Sequence, residues 1–211
     1  MEERKITEHE SLEIINSMIR DTRTQLTREA GVPFLIWGYT TVAVSLWEYA
    51  MHRLDLYWGW GWFALPVIGY LLTWLLSRRN NGREYVKSYI DRAITAVWVV
   101  FGFSVLFAFG AAFVYKISMF FMMTLLIGMG TAITGAIIRS KAVTTGGALS
   151  MLSSTIFAVR HMFLEDCPEA IFTYQINDML IFAAIFFLLM CIPGHILIHD
   201  CLLYTSDAAD E

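Results

Sequence analysis

Residues 93–138, AITAVWVVFGFSVLFAFGAAFVYKISMFFMMTLLIGMGTAITGAII, form one long apolar stretch in which Lys116 is the only charged residue. A helix needs about twenty apolar residues to cross the roughly 30 Å hydrocarbon core of a bilayer. This stretch is long enough for two crossings, and Lys116-Ile117-Ser118 near its middle is a natural place for a tight turn. The sequence here predicts a helical hairpin that spans a membrane.

The composition of the whole chain indicates the same class of protein. Of its 211 residues, 57% are hydrophobic and 16% are charged, and the mean hydropathy is +0.56. A soluble domain is about half apolar and a quarter charged, so this excess would leave large apolar patches on a water-soluble fold. The same figures, with three cysteines and a net charge of −4, exclude a disordered chain, a disulfide scaffold and a basic nucleic-acid-binding protein. A multi-pass membrane protein remains.

Six apolar segments are predicted to cross the membrane. They must be helices, because every backbone polar group inside the bilayer has to be hydrogen-bonded within the protein. The fifth segment gives the weakest signal, since it is rich in Gly, Ser and Thr. We therefore expect an all-α fold, a six-helix transmembrane bundle. Its predicted spans are about residues 34–52, 58–77, 93–115, 119–138, 145–163 and 179–198.

The N-terminal segment is predicted to form a cytoplasmic amphipathic helix. Thr7 and Glu10 fit a capping box, in which hydroxyl and carboxylate satisfy free backbone N–H groups at a helix start. An apolar stripe then follows at helical spacing: Leu12, Ile15, Ile19 and Leu26. We expect residues 7–30 to lie on the membrane surface or to bind a protein partner. The alternative is a solvated helix packed against the protein's own loops.

A helix boundary is predicted between this segment and the bundle. Gly31 suits the residue just past a helix end, and Pro33 discourages a helix from continuing. The chain is therefore expected to divide into residues 1–32, the amphipathic helix, and residues 33–200, the transmembrane domain.

Residues 201–211, CLLYTSDAADE, resemble the translation of a transposon-type sequencing-library adapter. We therefore expect this segment to be a non-native tail that replaces the true C-terminal sequence. The alternative is a natural polar tail.

The basic residues predict the orientation of the bundle. With six spans, Arg53, Lys116 and Arg160 lie on one side, and the other 12 of the 15 Lys and Arg residues lie on the side of both termini. Basic residues concentrate on the cytoplasmic side of membrane proteins. We therefore expect both termini to be cytoplasmic.

Ionisable residues near the outer ends of two spans are candidates for a ligand or ion path. Glu48 and His52 lie four residues apart on the first span and so share a helical face. A second group lies at the same level at the end of the fifth span: Arg160, His161, Glu165 and Asp166. A charged group at mid-membrane costs about 2.5–3.5 kcal/mol and is by default a functional candidate. The alternative is a structural ion pair of Glu48 with Arg53 or Arg160.

Small residues in the fourth and fifth spans predict close helix packing, because in lipid they let two backbones approach. The fourth span carries Gly128, Ala132, Gly135 and Ala136. The fifth span carries Gly146, Gly147, Ser150, Ser153 and Ser154. The alternative interpretation is a hydroxyl-lined permeation path past Ser150 and Ser154.

Cys191, His195 and His199 are spaced by four on the sixth span, a pattern that can bind zinc. Pro193 and Gly194 are expected to interrupt the helix between them, so we favour a pair of interfacial histidines and predict no metal and no cofactor. Phosphate-binding, dinucleotide-binding and nucleophile-elbow motifs are missing from the sequence. An enzymatic activity is therefore not predicted.

Five stretches of the sequence allow a comparison with known proteins: residues 11–19 SLEIINSMI, 33–38 PFLIWG, 89–92 YIDR, 128–135 GMGTAITG and 192–196 IPGHI. They resemble a group of uncharacterised multi-pass inner-membrane proteins of Bacteroides-type bacteria, over nearly all of residues 1–200. The resemblance implies a location in the bacterial inner membrane and transfers no catalytic residue.

The sequence favours a non-enzymatic membrane protein with a sensing, scaffolding or regulatory role, whose N-terminal helix is the coupling element. The expected partners are the lipid bilayer and a protein bound through residues 7–30, with no nucleic acid. The first alternative is a small transporter or channel with a path near Glu48 and the fifth span. The second is a membrane metalloenzyme that uses His195 and His199.

Overall fold

The computed structural model describes residues 8–56, 61–80, 89–115, 117–164 and 168–207. Within these ranges, some side chains lie outside the description: those of residues 8–30, 77, 79, 80, 113, 161, 164, 168–175 and 200–207. No strand occurs in these ranges, so the predicted all-α bundle is confirmed there. The α-helices are α1 Glu8–Arg53, α2 Ala64–Asn80, α3 Tyr89–Tyr115, α4 Met119–Ile137, α5 Lys141–Leu164, α6 Pro168–Phe186 and α7 Ile192–Asp207. A 3₁₀ turn, Gly61–Phe63, precedes α2, and a π-helical turn, Phe187–Cys191, joins α6 to α7 without a loop.

Four helical segments of the described chain are long and apolar enough to cross a membrane: Tyr89–Ala112, Met119–Ile137, Lys141–Arg160 and Ile176–His199. They coincide with the third to sixth predicted spans, and the protein is therefore a multi-pass membrane protein. The second predicted span coincides with a shorter apolar helix, Gly61–Leu76. The first lies within α1, where Glu48 and several aromatic and hydroxyl side chains reduce the hydropathy. These two crossings stay predictions.

The helix end predicted at Gly31 and Pro33 is wrong, because α1 continues through both residues. A proline inside a helix removes one hydrogen bond and crowds the preceding turn, so packing has to compensate for it. Gly31 supplies part of that packing. A Cβ built on Gly31 would lie 2.9 Å from Cγ1 of Ile198. This glycine therefore allows α7 to approach α1 closely and does not end the helix.

The interruption predicted at Pro193 and Gly194 is also wrong, because helical structure runs unbroken from α6 to α7. In a regular helix, Pro193 would leave the carbonyl of Leu189 without its usual N–H donor. The π-turn lies at this place, and π-turns widen the helix by one residue. A Cβ built on Gly146 of α5 would lie 2.9 Å from the carbonyl oxygen of Leu189 and 3.0 Å from Cγ of Pro193. The irregular turn is therefore covered by the backbone of α5.

The helices form two groups that share one core. In the first group, α1 packs along α6, the π-turn and α7, and it also contacts α2. In the second, α4 and α5 form a tight hairpin, and α3 packs on α4. Only 6% of the apolar window of α3 is buried, so most of this helix faces outward, where the bilayer would lie. The core residues are Phe34, Ile138, Val143, Phe157, Phe182, Ile185, Phe186, Met190 and Leu197.

The turn between α4 and α5 is closed by a Schellman motif, in which two N–H groups past the helix end donate back to carbonyls of the last turn. The N–H of Ser140 donates to the carbonyl of Gly135 at 2.9 Å, and that of Arg139 donates to Ala136 at 3.3 Å. Arg139 has φ of 56°, in the left-handed region where glycine is the usual residue. The turn is therefore short but conformationally strained at Arg139.

Candidate functional site

The contact between α4 and α5 is built on glycines. A Cβ built on Gly128 would lie 2.7 Å from the backbone nitrogen of Met151 and 2.9 Å from the carbonyl oxygen of Gly147. A Cβ built on Gly147 would collide with the backbone nitrogen of Ala132. The two backbones are thus in direct contact, and any larger side chain at these glycines would separate the helices.

The same contact continues to the turn between the two helices. A Cβ built on Gly135 would collide with the backbone nitrogen of Thr144, so Gly135 belongs to the interface. Ala136, which was predicted with it, is exposed instead. Its position one residue further on turns its side chain by about 100° away from the partner helix.

Several buried hydroxyls form hydrogen bonds within their own helices. The hydroxyl of Ser45 donates to the carbonyl of Thr41 at 2.7 Å, and that of Ser154 donates to Met151 at 2.6 Å. Ser150 instead reaches across to α4, where its hydroxyl donates to the carbonyl of Thr124 at 3.4 Å. Ser150 and Ser154 are both buried inside the bundle rather than along an open groove.

Glu48 is buried in the bundle although it is an acid. Only 3% of the residue is exposed, and its carboxylate lies against Gly61, at the start of the turn that leads into α2. A Cβ on Gly61 would overlap Oε1 of Glu48, so only glycine leaves room for the acid. His52, one turn further along α1, is buried as well. The two residues that were predicted to share a face therefore both face inward.

Arg160 forms an ion pair with an acid that the sequence did not single out. Its Nε lies 2.7 Å from Oδ1 of Asp178, and this pair joins α5 to α6. Side-chain exposure is 26% for Arg160 and 10% for Asp178. Asp178 directly precedes the apolar run that predicted the sixth span, which gave it the appearance of an ordinary interfacial acid.

An aromatic layer connects Glu48 to this ion pair. The ring of Trp62, next to Gly61, contacts Phe120 and Phe182 edge-on, with centroids 5.6 and 6.1 Å apart. Phe157 stacks on Phe120 at 5.7 Å and lies one turn before Arg160. Glu48, the aromatic layer and the Arg160–Asp178 pair thus occupy one end of the bundle, called the Glu48 end below. The other candidates predicted there, His161, Glu165 and Asp166, lie outside the described side chains.

The three residues spaced by four near the end of the chain have different surroundings. Cys191 is fully buried, and a Cβ built on Gly38 of α1 would lie 2.7 Å from its Sγ. His195 is exposed, and its Nε2 lies 2.7 Å from the hydroxyl oxygen of Tyr39, a hydrogen bond between α7 and α1. His199 is exposed as well. Within the described residues, no three His, Cys, Asp or Glu side chains are grouped as a metal site would require.

Comparison with known proteins gives no relative: the chain matches no protein-family model, no curated protein and no solved structure. Its function is therefore inferred from its own geometry. That geometry combines buried ionisable groups at the Glu48 end with a long helix, α1. Glu48 lies near the C-terminal end of α1, and the helix continues back to the N-terminal segment.

Proposed function

We propose that this chain is a non-enzymatic protein of the bacterial inner membrane with a sensing, scaffolding or regulatory role, in which α1 couples the Glu48 end to the cytoplasmic residues 8–30. The continuity of α1 is the observation that supports this most. The helix has 46 residues, which corresponds to about 69 Å at a rise of 1.5 Å per residue. A continuous helix transmits a shift or rotation at one end to the other, whereas a flexible joint at Gly31 would dissipate it.

The Glu48 end has the properties of an input site. Ionisable groups inside a membrane protein are costly and usually serve a function. Here the carboxylate of Glu48 occupies the space that a side chain at Gly61 would fill. A ligand, an ion or a proton that changes the environment of this carboxylate would alter the contact between α1 and the turn at Gly61–Phe63.

The surface along which α1 would move is formed by small residues. Gly31 and Gly38 of α1 face α7 and the π-turn, and a Cβ built on Gly194 of α7 would lie 2.9 Å from Cδ2 of Leu35. Helices that pack through small residues can slide past each other by small shear movements. The α1–α7 contact therefore combines close packing with a route for a small displacement.

The experiment compares hydrogen exchange of residues 8–30 in nanodiscs between the wild-type chain and Glu48→Gln. We expect the substitution to change exchange there by more than threefold, a free-energy difference of about 0.7 kcal/mol. Insertion of three glycines between Ala30 and Gly31 should abolish this response, whereas a helical insert of seven residues should preserve it. Arg53→Gln, an exposed charge on the same helix, is the control and should have no effect.

A response to Glu48→Gln that survives the glycine insertion would contradict coupling through α1. Equal exchange of residues 8–30 in the wild-type chain and in Glu48→Gln would contradict the input role of the Glu48 end. The partner is sought by photo-crosslinking from positions 15 and 19, with a probe at position 39 in the bundle as the matched control. A protein captured equally from all three positions would argue against a specific surface on residues 8–30.

A small transporter or channel is the second candidate, and the buried charges at the Glu48 end favour it. In this case Glu48 and α5 line the path, and Ser150 supplies a polar surface. Reconstituted proteoliposomes should then show an ion or proton flux that Glu48→Gln and Ser150→Leu both abolish. A flux that both variants retain, or none above that of empty liposomes, would exclude this candidate. The close glycine contact between α4 and α5 makes it the less favoured one.

A further inference from the structure

A small cavity lies in the middle of the bundle, between α4, α5 and the joint of α6 and α7. Its volume is about 10 Å³. Two of its lining residues carry hydroxyls, Thr131 of α4 and Ser150 of α5, and the remaining walls are apolar. Ser150 lies about 14 Å along α5 from Lys141, by the helical rise of 1.5 Å per residue, which is close to the middle of a bilayer.

The hydroxyl of Thr131 has no hydrogen-bond partner in the part of the chain that the structure describes. Only 2% of Thr131 is exposed. Burial of an unpaired hydroxyl costs about 1–3 kcal/mol in proteins. Thr134, one turn away on the same helix, avoids this cost because its hydroxyl donates to the carbonyl of Gly130 at 2.8 Å. Thr131 lines the cavity instead.

Ser150 has hydrogen-bonding capacity left on the same cavity. Its hydroxyl donates to the carbonyl of Thr124 at the long distance of 3.4 Å. Its oxygen can in addition accept a hydrogen bond, because a hydroxyl is one donor and two acceptor sites. The cavity thus brings together one hydroxyl without a partner and one that is only weakly bonded.

We propose that this cavity is a binding site for a single water molecule, held between the hydroxyls of Thr131 and Ser150. A water needs about 10–15 Å³ of such space and at least two polar partners, and both conditions are met. A cation would lose its hydration shell against two neutral oxygens, with no acid on the cavity wall to compensate. A larger ligand does not fit the volume.

The position of this site gives the water a structural role. Leu189 and Met190 belong both to the cavity wall and to the π-turn. A π-turn is a place where a helix departs from its regular ladder, and such turns are frequent at functional positions. The water joins α4 to α5 by hydrogen bonds and fills the space beside the turn, so it supports the one irregular joint in the helical core of the described chain.

The test is a crystal structure of the full chain grown in lipid, at a resolution at which other internal waters are visible. We expect a spherical density within about 3.2 Å of both hydroxyl oxygens, the hydrogen-bond limit. Thr131→Val removes the hydroxyl at nearly constant volume and should lose the density. Thr131→Ser restores a hydroxyl and should keep it, as should the control Thr134→Val, which removes a hydroxyl already bonded to its own helix.

Three results would overturn the proposal. The first is a wild-type cavity without density, whether or not the Thr131 hydroxyl has turned to a carbonyl of its own helix. The second is a density that survives Thr131→Val unchanged, since the hydroxyl would then not hold the occupant. A density with the anomalous signal or short contacts of a metal ion would also contradict a water.

Discussion

Nε of Arg160 lies 2.7 Å from Oδ1 of Asp178, and this ion pair joins α5 to α6 at the end of the bundle that also holds Glu48. The two residues are 18 positions apart in the chain and belong to different helices. Removal of one partner of a buried pair leaves the other charge without compensation, whereas removal of both does not. The pair is therefore a local determinant of how the two helices meet.

The first prediction concerns the stability that this pair contributes. Asp178→Asn should lower the free energy of unfolding by about 2 kcal/mol, less than the 3–5 kcal/mol of a fully buried pair because Arg160 is partly exposed. The double variant Arg160→Leu with Asp178→Leu should recover most of the loss. Thermal unfolding of the purified protein in detergent measures both. A double variant whose loss equals the summed losses of Arg160→Leu and Asp178→Leu would contradict an interaction between the two side chains.

The second prediction concerns the glycine contact of α4 and α5. Gly147→Ala should destabilise the bundle by about 2–3 kcal/mol, because its new methyl group would collide with the backbone of Ala132. Gly102→Ala on α3 is the matched control, since a Cβ there meets nothing within 4 Å. It should be neutral or slightly stabilising. Equal losses in the two variants, measured by the same unfolding assay, would contradict a specific collision at the contact of α4 and α5.

The third prediction tests the contact of α1 with the π-turn through a rescue. Gly38→Ala places a methyl group against Sγ of Cys191 and should destabilise by about 1–3 kcal/mol, the usual cost of overpacking. Cys191→Ala removes the sulfur and creates space at the same position. The double variant should therefore be more stable than Gly38→Ala alone. A double variant whose unfolding temperature is lower than that of both single variants would rule out this contact.

The fourth prediction concerns the strained turn at Arg139, whose φ is 56°. Arg139→Gly should raise the free energy of unfolding by about 1 kcal/mol, because glycine adopts this conformation without steric strain. Arg139→Val should lower it, since a β-branched residue tolerates positive φ worst. Arg139→Asn removes the charge but tolerates the conformation, and it should lie between the two. A loss of stability in all three variants would instead assign the effect to the guanidinium group.

The features that depend on local pattern were predictable from the sequence. The hairpin follows from an apolar run that is too long for one crossing, and α3 ends at Tyr115 and α4 begins at Met119, on either side of the proposed turn. The small residues of the fourth span indicate a close helix contact, although they also include Ala136, which is exposed. Hydropathy and helical periodicity are properties of neighbouring residues, so a single sequence contains them.

The features that depend on distant residues were not predictable in the same way. Gly31 and Pro33 have the local signature of a helix end. The side chain that packs on Gly31 is that of Ile198, which is distant in the sequence. Asp178 is recognisable as the partner of Arg160 only in the fold, where the packing of α5 on α6 brings the two side chains together. Local propensity does not determine the helix boundary at such places, because tertiary packing contributes more free energy than a single helix-breaking residue costs.

The π-turn at Phe187–Cys191 determines more than its own five residues. Each residue of a helix turns the chain by about 100°, so the extra residue of this turn sets the angular phase of everything that follows it. With it, Gly194 faces Leu35 of α1. A deletion of one residue here would leave the composition almost unchanged but would point that glycine elsewhere, so this part of the chain is more sensitive to length than to chemistry.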